Sequence, residues 1–298
     1  MLSKHLEESI MSEFLTTKEV AELLRIKERK VYDLAARNAI PCAKATGKLL
    51  FPKAEIRQWM QEKGVVTEAG NQPKLVVLGS HDPVLEWALG ASGSGLPTLL
   101  SGSFDGLTRY KQHEGIACAI HLENSDRSGW NTEAFQESLA NTASVLVHWA
   151  KRERGLVVKP GSGISGFTDI PGKRLVTRQA AAGSQHVFER YLADAGIALD
   201  KLEVVREART ETEAALAILE DQADVAFGLR CFAERYKLDF IPVCEESYDL
   251  IIDRHAYFEP AMQALLNFTK SEAFQAEAAR YIGYDVSETG RVVANGAR

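Results

Sequence analysis

The chain has 298 residues, 45% hydrophobic and 26% charged, with a formal net charge of −6. At roughly 100–200 residues per domain this is enough for about two globular units with full cores. Mean hydropathy is −0.17, no apolar run approaches the roughly 20 residues that span a bilayer, and Met1 to Phe14 carries charges where a secretory leader needs a greasy stretch. A cytoplasmic protein with no membrane partner is expected. Cys42, Cys118, Cys231 and Cys244 lie far apart with no Cys-x-x-Cys pair, so neither a disulfide scaffold nor a zinc finger is expected, and no metal or cofactor. The average charge conceals a division: residues 12–63 hold 11 Lys and Arg against 7 Asp and Glu, and residues 64–298 hold 23 against 32. A basic head precedes an acidic body.

In chain order, Thr16-Thr17-Lys18-Glu19 sets a hydroxyl three residues ahead of a carboxylate, a capping box that predicts a helix with Val20, Leu23 and Leu24 on its inner face. Arg25-Ile26-Lys27 predicts a tight turn, and Glu28 to Asn38 a second helix burying Val31, Leu34 and Ala35. This is a helix-turn-helix. Its exposed face offers Arg29, Lys30, Tyr32, Asp33 and Arg37 to base edges and phosphates. Ala43 to Phe51 predicts a hairpin turning at Gly47, a wing whose Lys44 and Lys48 meet backbone phosphates; a closing helix from Pro52 packs Ile56, Trp59 and Met60.

Leu15 to Leu24, Lys30-Val31-Tyr32, Ile40-Pro41, Phe51 and Trp59 together resemble the winged excisionase-type helix-turn-helix module, related to the MerR class. The resemblance implies double-stranded DNA as partner and Thr17, Lys27, Arg29, Lys30, Tyr32, Arg37, Lys44 and Lys48 as contacts. It departs from that family at the entry to the second helix, where Lys27-Glu28 stands in place of the usual Ser or Thr cap.

Residues 64–73 gather Gly, Asn, Gln and Pro and read as a linker. From residue 74 the pattern alternates. Leu75 to Leu78, Thr98 to Leu100 and Ile116 to Ile120 read as strands, with helices at Pro83 to Leu89 and Phe104 to Gln112 between them. The rhythm resumes with strands at Leu175 to Thr177, Val204-Val205 and Val225 to Phe227, and helices at Ser184 to Leu192 and Glu211 to Leu219. Such alternation predicts α/β architecture, a parallel sheet covered on both faces, in two lobes joined by crossing strands. The domains expected are therefore 12–63, a 64–73 linker, and 74–298.

Ligands in such sheets lie at the carboxyl ends of strands, near helix N-termini. Four small-polar turns occupy such places: Gly79 to Pro83, Ser101 to Leu107, Ala180 to Gln185, and Arg209 to Glu213. They predict a cleft for a small polar solute with Arg178 as its main positive charge. His81 either points into the cleft or sits in a solvated loop. Lys151, Arg152 and Arg154 read as a solvated face, and Trp87, Trp130 and Trp149 as core. No nucleophile elbow, Walker loop or dinucleotide fingerprint is present, and Ser184 reads as a helix cap beside an ordinary His186, so no enzyme is expected.

The body resembles the periplasmic-binding-protein-like sensor domain fused behind such DNA-binding modules, itself similar to molybdate and tungstate binding proteins. The matching segments are Gly79-Ser80-His81-Asp82-Pro83, Gly102 to Leu107, His121-Leu122 with Asn131, Gly155 to Val158, Asp169-Ile170, Arg178-Gln179, Gly196-Ile197, Ala223 to Gly228 and Glu246 to Leu250. The resemblance implies a non-catalytic one-component bacterial transcriptional regulator, homodimeric, binding a molybdate- or tungstate-type oxyanion. Its ligand residues would be Ser80, His81, Ser103, Arg178, Gly183, Ser184 and Glu211. That family commonly reads Arg-Gln-x-x-Ser-Gly-Thr-Arg and Thr-His, where this chain has Arg178 to Gln185, short of one hydroxyl and one cation, and Thr210-Glu211. If Glu211 lines the cleft, an organic metabolite with an amine or hydroxyl gains over an anion. If it lies on the exposed first turn of its helix, the dipole favours it there. A small α/β enzyme with a DNA anchor, and an excisionase-like architectural protein that bends DNA independently of residues 74–298, are the remaining alternatives.

Overall fold

The computed structural model describes residues 14–24, 26–45, 48–62 and 73–297. The chain divides into two compact units, residues 1–72 and 73–298. The turn at Gly47 and all of the expected linker except Pro73 lie outside the described residues.

In the small unit, α1 (Thr17–Leu24) and α2 (Glu28–Ala36) form the helix pair, and β2 (Ala43–Ala45) and β3 (Lys48–Pro52) form the wing ahead of α3 (Lys53–Glu62). The capping box is reciprocal: Glu19 N donates to Thr16 Oγ1 at 3.3 Å, and Thr16 N donates to Glu19 Oε2 at 2.7 Å. Two orphan amides of the first turn are thereby satisfied. A two-residue strand β1 (Phe14–Leu15) adds antiparallel to β3, giving the order β1-β3-β2. Val20, Val31, Ile40 and Ile56 close the core around Phe51, which is fully buried. Leu23, expected inside, is 48% exposed, because α1 turns Ala21 rather than Leu23 to the core.

The large unit is built on one sheet, but it is mixed rather than parallel. β4 (Val77–Gly79), β5 (Thr98–Leu99) and β6 (Ala117–Ile120) run parallel, as do β8 (Arg174–Arg178), β9 (Glu203–Ala208) and β10 (Val225–Leu229). Between these triplets lie β7 (Ser144–Val158) and β11 (Asp239–Asp253), each 15 residues long and antiparallel to the other. Together they give the order β5-β4-β6-β11-β7-β10-β8-β9. The two long strands pass through both lobes, so each lobe is one parallel triplet flanked by half of β7 and half of β11. The C-terminal strands β12 (Tyr284–Asp285) and β13 (Val292–Asn295) pair with the first-lobe half of β7.

The helices of the first lobe are α4 (Pro83–Ala91), α5 (Ser103–Lys111), α6 (Thr132–Leu139), and later α10 (Arg254–Tyr257), α11 (Pro260–Phe268) and α12 (Glu272–Ala278). The second lobe carries α7 (Gly183–Asp194), α8 (Glu211–Leu219) and α9 (Arg230–Tyr236). On one face a continuous apolar core runs from Val84, Trp149 and Phe274 through to Ile218 and Phe232. On the other face the cores are separate, one around Phe135 and Leu107, the other around Phe188 and Phe227. As expected, Trp149 is core and Trp87 and Trp130 pack against it or its neighbour.

Candidate functional site

Each expected small-polar turn sits where a strand ends and a helix starts. Asp82 caps α4, accepting from Leu85 N at 2.7 Å. Gly102 precedes α5 with φ 122°, a backbone that favours glycine, and a Cβ there would lie 2.4 Å from Ala181 O of the other lobe. Gly183, at the start of α7, is equally confined: a Cβ would lie 2.5 Å from His121 O and 3.2 Å from Ser103 Oγ. The two lobes therefore touch backbone to backbone. Gln179 Nε2 donates across to Ser101 O at 2.9 Å, Arg190 to Asn124 O at 3.0 Å, and the Phe104 and His186 rings stand 4.5 Å apart. The cleft is shut in this form, and Ser80, Ser103, Gly183 and Ser184 are buried in it.

Behind these turns lies a buried chain of ionised groups running from lobe to lobe. Asp82 Oδ2 accepts from Arg152 at 2.9 Å and from the Tyr284 hydroxyl at 2.7 Å. Arg152 also donates to Glu246, its register partner on β11. Its guanidinium lies 4.1 Å over the Tyr248 ring. Arg154 grips Glu246 with two bonds, 2.8 and 2.9 Å, and donates to Glu211 Oε1 at 3.0 Å. Arg178 completes the chain, donating to Glu211 Oε1 at 2.7 Å and to the carbonyls of Ala208 and Arg209.

Two expectations are corrected here. Arg152 and Arg154 are each 1% exposed and form no solvated face; Lys151 and Glu153 take the outward positions of the same strand. Alternation along β7 drives the two arginines inward, and three carboxylates receive them. Arg178 is not a free positive charge either, since Glu211 neutralises it. Glu211 itself is 5% exposed, which settles the two readings of that residue: it belongs to the interior, not to a solvated first turn.

Burial alone would raise the Glu211 carboxyl, but the guanidiniums of Arg154 and Arg178 outweigh it and hold the group down to about 2. Glu246 is likewise held well below the carboxylate range by Arg152 and Arg154 against the cost of burial. His121, fully enclosed, is pushed down by burial, which its contact with Glu246 only partly offsets. Burial raises Tyr248 and Tyr284 well above the usual phenol value. They therefore stay neutral donors, Tyr248 to Ser80 O at 2.5 Å.

Among the other expected ligand residues, Ser103 Oγ accepts from His121 N at 3.2 Å, and Ser80 Oγ lies 2.9 Å from His121 Nε2. Ser184 is buried in the first turn of α7 but does not cap it, since Ala182 holds that position. His186 turns to Ala180 O at 3.0 Å and does not serve Ser184. His81 stays outside the buried set, half-buried against Glu86 at 3.1 Å. Asp82, His121, Arg152, Arg154, Glu246, Tyr248 and Tyr284 were not anticipated as site residues. The available signal was two arginines at i and i+2, on one face of a strand whose flanking stretches, Val145 to Ala150 and Gly155 to Val158, are mostly apolar.

In the small unit, Lys27, Arg29, Lys30, Tyr32, Arg37 and Lys48 are all exposed. Lys27 holds the N-cap position of α2 with no side-chain cap bond, as its departure from Ser or Thr implies. The Lys44 side chain lies outside the described residues. Thr17 is corrected as a DNA contact: it is 9% exposed, because Thr16 takes the capping role and Thr17 faces the core.

A helix-turn-helix domain model matches residues 14–64, and a PBP superfamily domain model matches residues 86–270. The chain is 23% identical over 302 residues to the uncharacterized protein YvgK of Bacillus subtilis (strain 168), spanning 93% of this chain and 97% of that one. It is also 33% identical over 89 residues to an uncharacterized protein in the ferredoxin 2Fe-2S gene 5′ region of Clostridium pasteurianum, covering 30% of this chain and 79% of that one. Among solved structures, a Clostridium perfringens substrate-binding protein of the phosphate ABC transporter type, with phosphate bound, aligns over 69% of this chain and 97% of its own at TM-score 0.50 and 11% identity. At that identity the likeness is one of fold. The two-lobed sheet with paired crossing strands, the helix starts facing one another across it and the match over most of its length place this chain in the PBP superfamily, with a helix-turn-helix domain at its N-terminal end.

Proposed function

We propose that the protein is a ligand-responsive transcriptional regulator: the unit at 12–63 grips double-stranded DNA, and a small polar solute in the cleft of the unit at 74–298 sets how it does so. The observation that carries this reading is the convergence of helix starts from both lobes, with Ser80, Ser103, Gly183 and Ser184 buried where the lobes meet and a half-buried Arg178 bonded to the buried Glu211 behind them. A solute held there makes contacts in the closed arrangement that the open one lacks, and only such differential affinity can shift a conformational equilibrium. Arg29, Lys30, Tyr32 and Arg37 on α2, with Lys27 at its start and Lys48 on the wing, form the DNA face. One such head contacts little DNA, so the acting species is a homodimer reading two half-sites.

The oxyanion reading places molybdate or tungstate on the hydroxyls of Ser80, Ser103 and Ser184 and on helix N-terminal amides. The organic-solute reading is supported by Glu211, whose carboxylate is buried rather than on a solvated helix turn and would repel an anion held beside it. A gel shift on the promoter region of its own gene, with and without molybdate, tungstate and a metabolite panel, tests the regulator. At least one solute should change DNA affinity severalfold. A DNA affinity indifferent to every solute that binds the protein would refute it.

A further inference from the structure

Three guanidiniums, Arg152, Arg154 and Arg178, face three carboxylates, Asp82, Glu211 and Glu246, in one buried set. His121, the remaining titratable base in contact with it, is held neutral by burial. The set is therefore balanced, and no cation in it lacks a counter-carboxylate. A dianion entering would bring charge that nothing in the interior offsets, at a place where water cannot screen it.

The hydrogen-bond directions point the same way. Ionised Glu246 can only accept, so the His121 Nδ1 that lies 3.1 Å from it carries the ring proton. Nε2 of that neutral ring is then an acceptor, and Ser80, at 2.9 Å, must donate its hydroxyl proton to it. What Ser80 Oγ has left to offer a solute is lone pairs. Its backbone is committed as well, the amide to Ala119 O at 2.8 Å and the carbonyl to Tyr248. A second acceptor stands unused: Glu211 Oε2 is buried with no hydrogen-bond partner, on a residue 5% exposed. It faces the bare backbone of Gly228, where a Cβ would come within 3.3 Å of it. An orphaned buried carboxylate oxygen calls for a donor.

We propose that Ser80 Oγ and Glu211 Oε2 are specificity-determining acceptors of the cleft, selecting a small organic solute that donates N–H or O–H hydrogen bonds and carries no net negative charge, and excluding oxyanions. This rests on the sensor reading of the cleft and names its ligand class. Ser103, whose Oγ accepts from the His121 amide, retains its proton and supplies the complementary donor.

The test is calorimetric titration of the full-length protein, without DNA, with sodium tungstate, molybdate and phosphate, on the wild type and on Glu211→Gln. The wild type should show no saturable binding of any of the three in the micromolar range. Glu211→Gln, which leaves one guanidinium charge uncompensated, should bind tungstate at least about tenfold more tightly than the wild type. Saturable tungstate or molybdate binding to the wild type in that range overturns the proposal, and so does a folded Glu211→Gln that gains nothing. If the variant does not fold, the wild-type titration decides by itself. Because no DNA is present, a wrong ligand class leaves the regulator reading untouched, and a failed gel shift leaves these titrations interpretable.

Discussion

Replacing Glu246 by glutamine removes one charge from the centre of the buried set while keeping the side-chain volume. Glu246 is fully buried and accepts from Arg154 at 2.8 and 2.9 Å, from His121 at 3.1 Å and from Arg152. Glutamine can accept at one oxygen only and presents an amide where a guanidinium expects a carboxylate. Removing one partner of a buried ion pair costs about 3–5 kcal/mol, because the other charge is left without compensation. Asp82 and Glu211 still hold the far sides of the two arginines, which puts the expected loss near the lower end, about 3 kcal/mol. For a unit of this size that corresponds to a fall in Tm of roughly 6–12 °C. The neighbouring residue supplies the control: Glu245 points the other way, 57% exposed, 3.4 Å from Lys151. Glu245→Gln should cost no more than about 0.5 kcal/mol. Differential scanning calorimetry and urea melts of both variants, followed by the fluorescence of the tryptophans in the large unit, give the comparison. If Glu246→Gln loses less than about 1 kcal/mol, or no more than Glu245→Gln, the set is hydrated and does not behave as a buried ion network.

Four further outcomes follow from the same geometry. His121, Glu211 and Glu246 all titrate lower in the fold than their ordinary values of 6.5 and 4.5, so the unfolded chain binds more protons and stability must rise with pH. The urea midpoint should fall as the pH drops below about 6.5 and further below about 4.5; a midpoint flat between about pH 7.5 and about pH 4 contradicts this. Arg29→Ala or Lys30→Ala should weaken DNA binding without altering the fold, and the slope of log affinity against log salt should shrink by about 1 for each phosphate no longer neutralised; an unchanged slope and affinity for both would remove α2 from the interface. Phe51→Ala, at the centre of the small core, should cost about 3–5 kcal/mol and abolish DNA binding, read by circular dichroism and gel shift. In Gly102→Ala the added methyl meets Ala181 O at 2.4 Å, so the lobes cannot close as they do here; solute binding should weaken at least tenfold in titration, about 1.4 kcal/mol, and an undiminished affinity would show that closure does not accompany binding.

How much of this was legible in the sequence depended on how local the deciding interaction was. The capping box at Thr16 and Glu19, the turn aliphatic Ile26 and the inward Val31 and Ala35 are settled within a few residues, and the helix pair was read from them directly. Strand β1 was not, because two residues carry no period of their own and Phe14–Leu15 is ordered by pairing with β3. In the large unit, the strand-end turns could be found because small residues and helix starts mark them in sequence. The alternation also showed two lobes, yet it could not show that the sheet is mixed. Direction is set by β7 and β11, whose mixed apolar and charged sequences carry no sign of which way they cross the sheet.

The ionic set fell outside that reach for a physical reason. Taken alone, Lys151-Arg152-Glu153-Arg154 is a charged tetrad that water would solvate. Only the pairing of β7 with β11 brings Arg152 opposite Glu246, 94 residues away in sequence, and only the placing of α8 beneath β10 brings Glu211 to Arg154. Once those strands are in register, burying the arginines without the acids would be prohibitive, and burying the acids without the arginines equally so. The set must form together, along the two strands that both lobes share. On the function proposed above, a solute that changes the charge or the donors at Glu211 would act on one end of the bonded set that runs from lobe to lobe, and this is how a small ligand would set the arrangement of so large a unit.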